Sequence, residues 1–179
     1  ISDLSNGRNI ALLSDAGTPS VSDPGFELLR YFDNKFTITP IPGASALTSS
    51  LSISPIPANN FIFLGFLPRK TSEIDNKINL VKNLGIPAIL FESKRRVKTL
   101  MERINRICGD EVQICLFREM TKIHEEIQFG SIKDIIKKNE KEVCNGEFTI
   151  IFKPMNKGQP EIKNWTTKVK KLSKSFTNK

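Results

Sequence analysis

The tightest constraint on this chain is a pair of loops built from small residues. The runs Ser14-Asp15-Ala16-Gly17-Thr18-Pro19-Ser20-Val21-Ser22-Asp23-Pro24-Gly25 and Ile41-Pro42-Gly43-Ala44-Ser45-Ala46 each follow a short apolar segment and lead into an amphipathic one. That order predicts tight loops at the carboxyl ends of strands, each opening a helix. In open α/β sheets this edge is where ligands bind. Small residues let the backbone approach a ligand closely, and helix N-termini present free N–H groups. Two such loops in one short stretch predict a small-molecule site.

The pattern around them is strand–helix–strand–helix. Asn9–Ser14 is a short apolar run ending at a loop and reads as a buried parallel strand. Ser22 or Asp23 is placed to cap a helix with Pro24 in its first turn, running to about Asn34. Phe36–Pro40 reads as the next strand and Gly43–Ile53 as a helix of small residues. Parallel pairing with a right-handed crossover follows. The stretch Ser54-Pro55-Ile56-Pro57-Ala58 interrupts this, because closely spaced prolines fit neither a regular helix nor a central strand. A domain boundary is expected there, with residues 1–57 a partial α/β domain too small to bury a core alone. Its first strands are expected to lie before Ile1.

Residues 58–154 read as a second α/β domain. Strands are expected at Asn60–Phe66, Pro87–Phe91, Val112–Phe117, Ile123–Phe129 and Gly146–Lys153. Helices are expected at Ser72–Leu84 and Val97–Cys108, with a short one after Ser131 as N-cap. No apolar run approaches the ~18 residues of a membrane helix, and the N-terminus is not signal-like. Cys108, Cys115 and Cys144 are too few and too scattered for a zinc site or a disulfide framework, so reduced thiols and a cytoplasmic location are expected. The net charge of +8 is concentrated at the end, where residues 155–179 hold seven Lys and one Glu. That basic tail suits either plain solvation or the neutralisation of phosphates.

The residues able to carry chemistry sit after strands. Asp15 suits a turn cap or a ligand hydroxyl or amine, and Ser45 suits a helix cap or a ligand contact. Glu92-Ser93 follows a strand, and Glu92 either lines a site or pairs with Arg95 or Arg96. The segment Arg118-Glu119-Met120-Thr121-Lys122 is more polar than a turn requires. It is fit to position phosphates, assist proton transfer, or form an ion-pair network. Gly146-Glu147 opens the last strand, where glycine lets a ligand lie against the backbone. There is no Gly-x-x-x-x-Gly-Lys-Ser/Thr loop and no Gly-x-Gly-x-x-Gly fingerprint. His124 is the only histidine, which excludes a His-based triad and a multi-His metal site, and no metal is indicated.

Taken together these motifs resemble the ribosomal RNA 2′-O-ribose methyltransferase branch of the tetrapyrrole methylase superfamily. The matching residues are Ser14–Pro19, Asp23–Gly25, Pro42–Ala46, Gly65–Pro68, Phe91–Ser93, Arg96, Arg118–Lys122 and Gly146-Glu147, in the family's order. The Ser-Asp-Ala-Gly-Thr-Pro form separates this branch from the corrin and sirohaem methylases, which carry a Gly-Asp-Pro version. The resemblance implies two α/β domains with S-adenosylmethionine in the cleft between them. It implies cofactor contacts by Ser14, Asp15, Ala16 and Gly17, by Gly43, Ala44, Ser45 and Ala46, by Phe91, Glu92 and Ser93, and by Glu147 and Phe148. It implies a 2′-O-methylated cytidine in small-subunit (16S) ribosomal RNA as product, a homodimer, and no membrane. The family's Pro-x-Gly-Asn-Leu loop would lie before Ile1, so the first domain is expected to be incomplete.

For in-line transfer the protein must hold a ribose oxygen collinear with the methyl–sulfur bond. A ribose hydroxyl is a weak acid, so a base assists; Glu119 and Glu92 are the candidates. Lys122 or Arg118 is placed to orient a phosphate or stabilise the developing oxyanion. Two alternatives stand beside this reading: a tetrapyrrole methyltransferase of the same fold, and a non-catalytic RNA-binding relative.

Overall fold

The computed structural model describes residues 2–32, 35–140 and 145–155. Its centre is a five-stranded sheet made of β1 (Ile62–Phe66), β2 (Ala88–Ser93), β3 (Gln113–Arg118), β4 (Glu126–Ser131) and β5 (Glu147–Lys153), in the order β1-β2-β5-β3-β4. Only β1 and β2 pair in parallel; β5 is antiparallel to both β2 and β3, and β3 to β4. The near-continuous apolar runs of β2, β3 and β5 follow from burial on both faces. Ala88, Leu90, Ile114, Leu116, Phe148, Ile150 and Phe152 face one side. Ile89, Cys115, Phe117 and Ile151 face the other.

Three helices cover the first face. In α4 (Thr71–Leu84), Ile74, Ile78 and Val81 form one apolar stripe, and the helix ends at Gly85, whose left-handed φ of 64° closes an N–H bond to the Val81 carbonyl. In α5 (Lys94–Cys108), Val97, Leu100, Met101 and Ile104 recur at helical spacing. A guanidinium fork from Arg103 to Asp75 (2.9 and 2.8 Å) ties α5 to α4 and lowers the Asp75 pKa. The short α6 (Ile132–Lys138) is capped as expected, with Ser131 Oγ accepting from Asp134 N at 3.2 Å.

The second face carries α3 (Ala46–Ile53), whose Leu47 and Leu51 pack on the Ile89–Cys115–Phe117–Ile151 cluster. Cys115 is buried there, and burial pushes its thiol up to about 11 despite a 3.4 Å contact to Ser54 Oγ. The remaining helices are short: α1 (Ser2–Ser5) and α2 (Phe26–Arg30).

The N-terminal part departs from expectation. Residues 9–14 and 36–40 form no strand, and Ile10, Leu13, Ile38 and Ile41 are all more than half exposed. A strand needs a neighbour for its backbone N–H and C=O groups. No described segment pairs with either run, so the expected parallel pairing is not made. The helix expected from Ser22 or Asp23 begins only at Phe26, because Ser20 and Ser22 adopt left-handed φ values of 68° and 61°.

Candidate active site

Strand direction gathers one edge of the sheet. β1 and β2 are parallel, and their last paired residues are Phe66 and Phe91. Because β5 is antiparallel to β2, its first residue Glu147 pairs with Ser93. Because β3 is antiparallel to β5, its last residue Arg118 pairs with Phe148. The carboxyl ends of β1, β2 and β3 and the start of β5 therefore share one edge. Loop 14–25 and the start of α3 stand against that edge and enclose a cavity of about 380 Å³.

The upper wall is backbone and small side chains: Asp15, Ala16, Gly17 and Ser22 from the first loop, and Ala44, Ser45 and Ala46 from the second. Ser14 Oγ donates to the Gly17 carbonyl at 3.1 Å, and Gly17 has φ 77°, so the turn closes on itself. Ser45 is the N-cap residue of α3, yet its side chain makes no capping bond. A glycine sets the loop's approach to the sheet. Gly65, where the β1–β2 register shifts, has φ 59°, and a Cβ there would lie 2.8 Å from Ser22 Oγ.

The floor holds Phe66 and Phe91, with ring centroids 5.7 Å apart, and beside them Glu92. Glu92 is 2% exposed. Its Oε1 accepts from Ser93 N (2.7 Å) and Ser93 Oγ (3.2 Å). Its Oε2 lies 3.4 Å from Arg96 Nε but has no hydrogen-bond partner among the described residues. A buried carboxylate oxygen left in this state retains acceptor capacity that the described residues do not use. Arg96 Nη2 donates to the carbonyls of both Leu67 (3.0 Å) and Pro68 (2.7 Å), fixing the loop after β1.

The third wall is a bracket between the turn after β3 and the start of β5. Glu119 N donates to the Glu147 carbonyl (3.0 Å), and Glu147 N donates to Glu119 Oε1 (2.8 Å). Lys122 Nζ bridges Glu119 Oε1 (3.2 Å) and Glu147 Oε2 (2.9 Å). Glu119 and Thr121 hold φ values of 49° and 65° to make this turn. The Glu147 backbone N–H, then the Lys122 ammonium, lowers the Glu119 pKa below its ordinary 4.5. The Glu147 carboxylate, then that of Glu119, raises the Lys122 pKa above its ordinary 10.5.

The sign of each shift sets a pH window. The Glu119 contribution to stability is fully present above pH 4.5 and is lost as pH falls through its depressed value. The Lys122 contribution is fully present below pH 10.5 and is lost as pH rises through its raised value. Lys122→Met is therefore expected to flatten the alkaline flank of a plot of denaturant midpoint against pH and to reduce the acid flank only in part, since the Glu147 N–H still holds Glu119. An unchanged profile would mean that the Lys122 ion pairs add nothing to folding.

Of the residues expected in a site, Asp15, Ala16, Gly17, Ala44, Ser45, Ala46, Phe91, Glu92, Glu119, Lys122, Glu147 and Phe148 all border the one cavity. Ser14, Gly43 and Ser93 support it from just outside. Arg118 does not face it: its Nε donates to the Asn145 carbonyl (2.8 Å) and its Nη1 to Glu126 (3.1 Å). Thr18, Ser49, Phe66, Met120, Thr121 and Thr149 also line the cavity. Phe66 was open to discovery as the strand-end counterpart of Phe91, and Ser49 as the residue one helical turn beyond Ser45. His124 is exposed on the turn before β4. The basic tail and Cys144 lie outside the described residues. Among the described residues no three metal-ligating side chains come together.

The family model for tetrapyrrole (corrin/porphyrin) methylases matches residues 1–136. A ribosomal RNA small subunit methyltransferase I from Halalkalibacterium halodurans is 36% identical over 92% of this chain and 57% of its own length. One from Hydrogenobaculum sp. is 37% identical over 87% of this chain and 68% of its own length. The chain thus spans between about half and two thirds of such relatives. The methyltransferase CobJ has a similar fold at 15% identity, with a TM-score of 0.63 over 86% of this chain and 67% of that one. A uroporphyrin-III C-methyltransferase from Thermus thermophilus, complexed with S-adenosylhomocysteine, is similar at 12% identity and a TM-score of 0.51, over 75% of this chain and 62% of that one.

Proposed function

Because the chain belongs to the tetrapyrrole (corrin/porphyrin) methylases, and within them to the ribosomal RNA small subunit methyltransferase I family, we propose that it methylates the 2′-oxygen of a cytidine ribose in small-subunit ribosomal RNA. The observation that carries this reading is Glu92: a buried carboxylate on the cavity wall whose Oε2 lacks a hydrogen-bond donor. The donor in this reading is S-adenosylmethionine, which when bound supplies an electrophilic methyl group. The cavity fits such a molecule. Ala16, Gly17, Ala44 and Ala46 expose backbone along one wall, with Ser14 and Gly43 shaping the two loops behind it. Phe66 and Phe91 offer apolar faces opposite, and Asp15, Ser45, Glu147 and the Phe148 backbone supply polar contacts.

Glu92 takes the proton from the attacking ribose hydroxyl, with Ser93 and Arg96 fixing its orientation. Hydrogen bonds from the Glu147 N–H and the Lys122 ammonium already stabilise the Glu119 anion and make it a poor base. Its role here is to hold the start of β5. Lys122 borders the cavity between the carboxylates of Glu119 and Glu147, and in this reading one of its remaining donor positions orients a substrate phosphate. Arg118 braces the turn from behind. A homodimer and a cytoplasmic location belong to the same reading and rest on the family likeness.

The test offers labelled S-adenosylmethionine to unmethylated small ribosomal subunits, to naked ribosomal RNA and to a tetrapyrrole. Label in RNA is expected. Label in the tetrapyrrole alone would move the chain to the other branch of its family, and salt-sensitive RNA binding without transfer would make it a non-catalytic relative.

A further inference from the structure

We propose that Arg69, Lys70, Lys94, Arg95 and Lys98 form a docking surface for the RNA sugar–phosphate backbone beside the cavity mouth, an assignment that rests on the ribosomal RNA reading above. The first turn of α5 reads Lys94-Arg95-Arg96 and contains no acidic residue, and its N-cap Ser93 makes no side-chain capping bond. A helix N-terminus is positive, so three cations there oppose the helix dipole. Folding accounts for only part of this excess. Arg96 holds the Leu67 and Pro68 carbonyls and approaches Glu92. Arg103 and Arg106, further along α5, are matched by Asp75. Lys94 reaches only the neutral Asn145 side chain, while Arg95 and Lys98 are exposed and make no ion pair among the described residues.

The grip of Arg96 on Leu67 and Pro68 brings the adjoining Arg69 and Lys70 next to this turn. Both are exposed, and among the described residues the only acidic contact of Lys70 is a long one, 3.9 Å to the exposed Glu73. The two basic segments follow cavity-lining residues by two or three positions, Phe66 at the end of β1 and Glu92 near the end of β2. A group of cations on two segments that lead away from the cavity fits a partner with repeated negative charges. Such a surface positions a substrate without reading its sequence.

The test measures binding of small-subunit ribosomal RNA to the chain across a salt series. It compares the wild type with Arg69→Ala/Lys70→Ala/Arg95→Ala, and with Lys133→Ala/Lys137→Ala/Lys138→Ala, which removes equal charge from α6. Each lost phosphate contact reduces the slope of log K against log salt by about 0.7 on single strands, so the rim variant is expected to lose about 2 from the slope. Its RNA affinity at moderate salt is expected to fall about 10–100-fold. The α6 variant is expected to keep most of both, and all three proteins to bind S-adenosylhomocysteine equally, which confirms their fold. Equal losses in the two variants, or no loss in the rim variant, would overturn the docking surface while leaving the RNA reading intact. No RNA binding by the wild type would overturn both.

Discussion

Glu92→Gln is expected to slow methyl transfer by about 10²–10⁴-fold, the range for loss of a general base. The substitution keeps shape and volume, and the amide oxygen still accepts from Ser93 N and Oγ as Oε1 does now. What disappears is the buried oxygen Oε2, which has no hydrogen-bond donor among the described residues, replaced by an N–H₂ group that cannot take a proton. The same exchange puts that amide near Arg96 Nε, now 3.4 Å from Oε2, so some loss of thermal stability accompanies it. Single-turnover transfer, S-adenosylhomocysteine affinity and thermal unfolding separate these effects. A slow rate with unchanged affinity supports the base. Loss of rate and affinity together would make Glu92 a donor anchor instead, and an unaffected rate would remove it from the site.

Gly146→Ala is expected to damage the cavity from behind. Gly146 has φ 126°, where an L side chain is strained by about 1–3 kcal/mol. A Cβ there would also lie 2.5 Å from Glu119 Cγ and 2.8 Å from its Cδ. Glu119 must then swing away, and Glu147 N loses its 2.8 Å acceptor at the point where β5 enters the cavity. Losing a hydrogen bond to a charged group predicts affinity for S-adenosylhomocysteine about tenfold weaker or more. Glu119→Ala should match this weakening, and Glu119→Gln should largely restore binding, since the amide oxygen can accept from Glu147 N. Gly146→Ala with normal affinity would remove the positioning role. Glu119→Gln with intact binding and no transfer would return the base to Glu119.

The legible and illegible parts of the chain differ in what they depend on. The Ala88–Phe91, Ile114–Phe117 and Phe148–Phe152 runs announced strands because burial on both faces selects apolar residues throughout. The loops at 14–17 and 43–46 could be read because small residues before an amphipathic run have few other uses. Residues 9–14 and 36–40 show the limit of the same rule. An apolar run signals a tendency to be buried, but pairing depends on a neighbour, and here Leu13 and Ile41 lie open. The start of α2 was misplaced for a local reason: the left-handed turns at Ser20 and Ser22 delay it until Gly25 has been passed. The partner of the Glu119 carboxylate is a backbone N–H on Glu147, and their pairing follows from β3 lying beside β5. No spacing within the segment 118–122 contains that information. The same holds for Thr149, which reaches the cavity through strand order alone.

The most direct measurement is to digest the RNA labelled by this chain to nucleosides and identify the one that carries the methyl group. The account predicts 2′-O-methylcytidine as the labelled product, formed in small-subunit ribosomal RNA and greatly reduced with Glu92→Gln. Label on a base atom, or label found only in a tetrapyrrole, would contradict it.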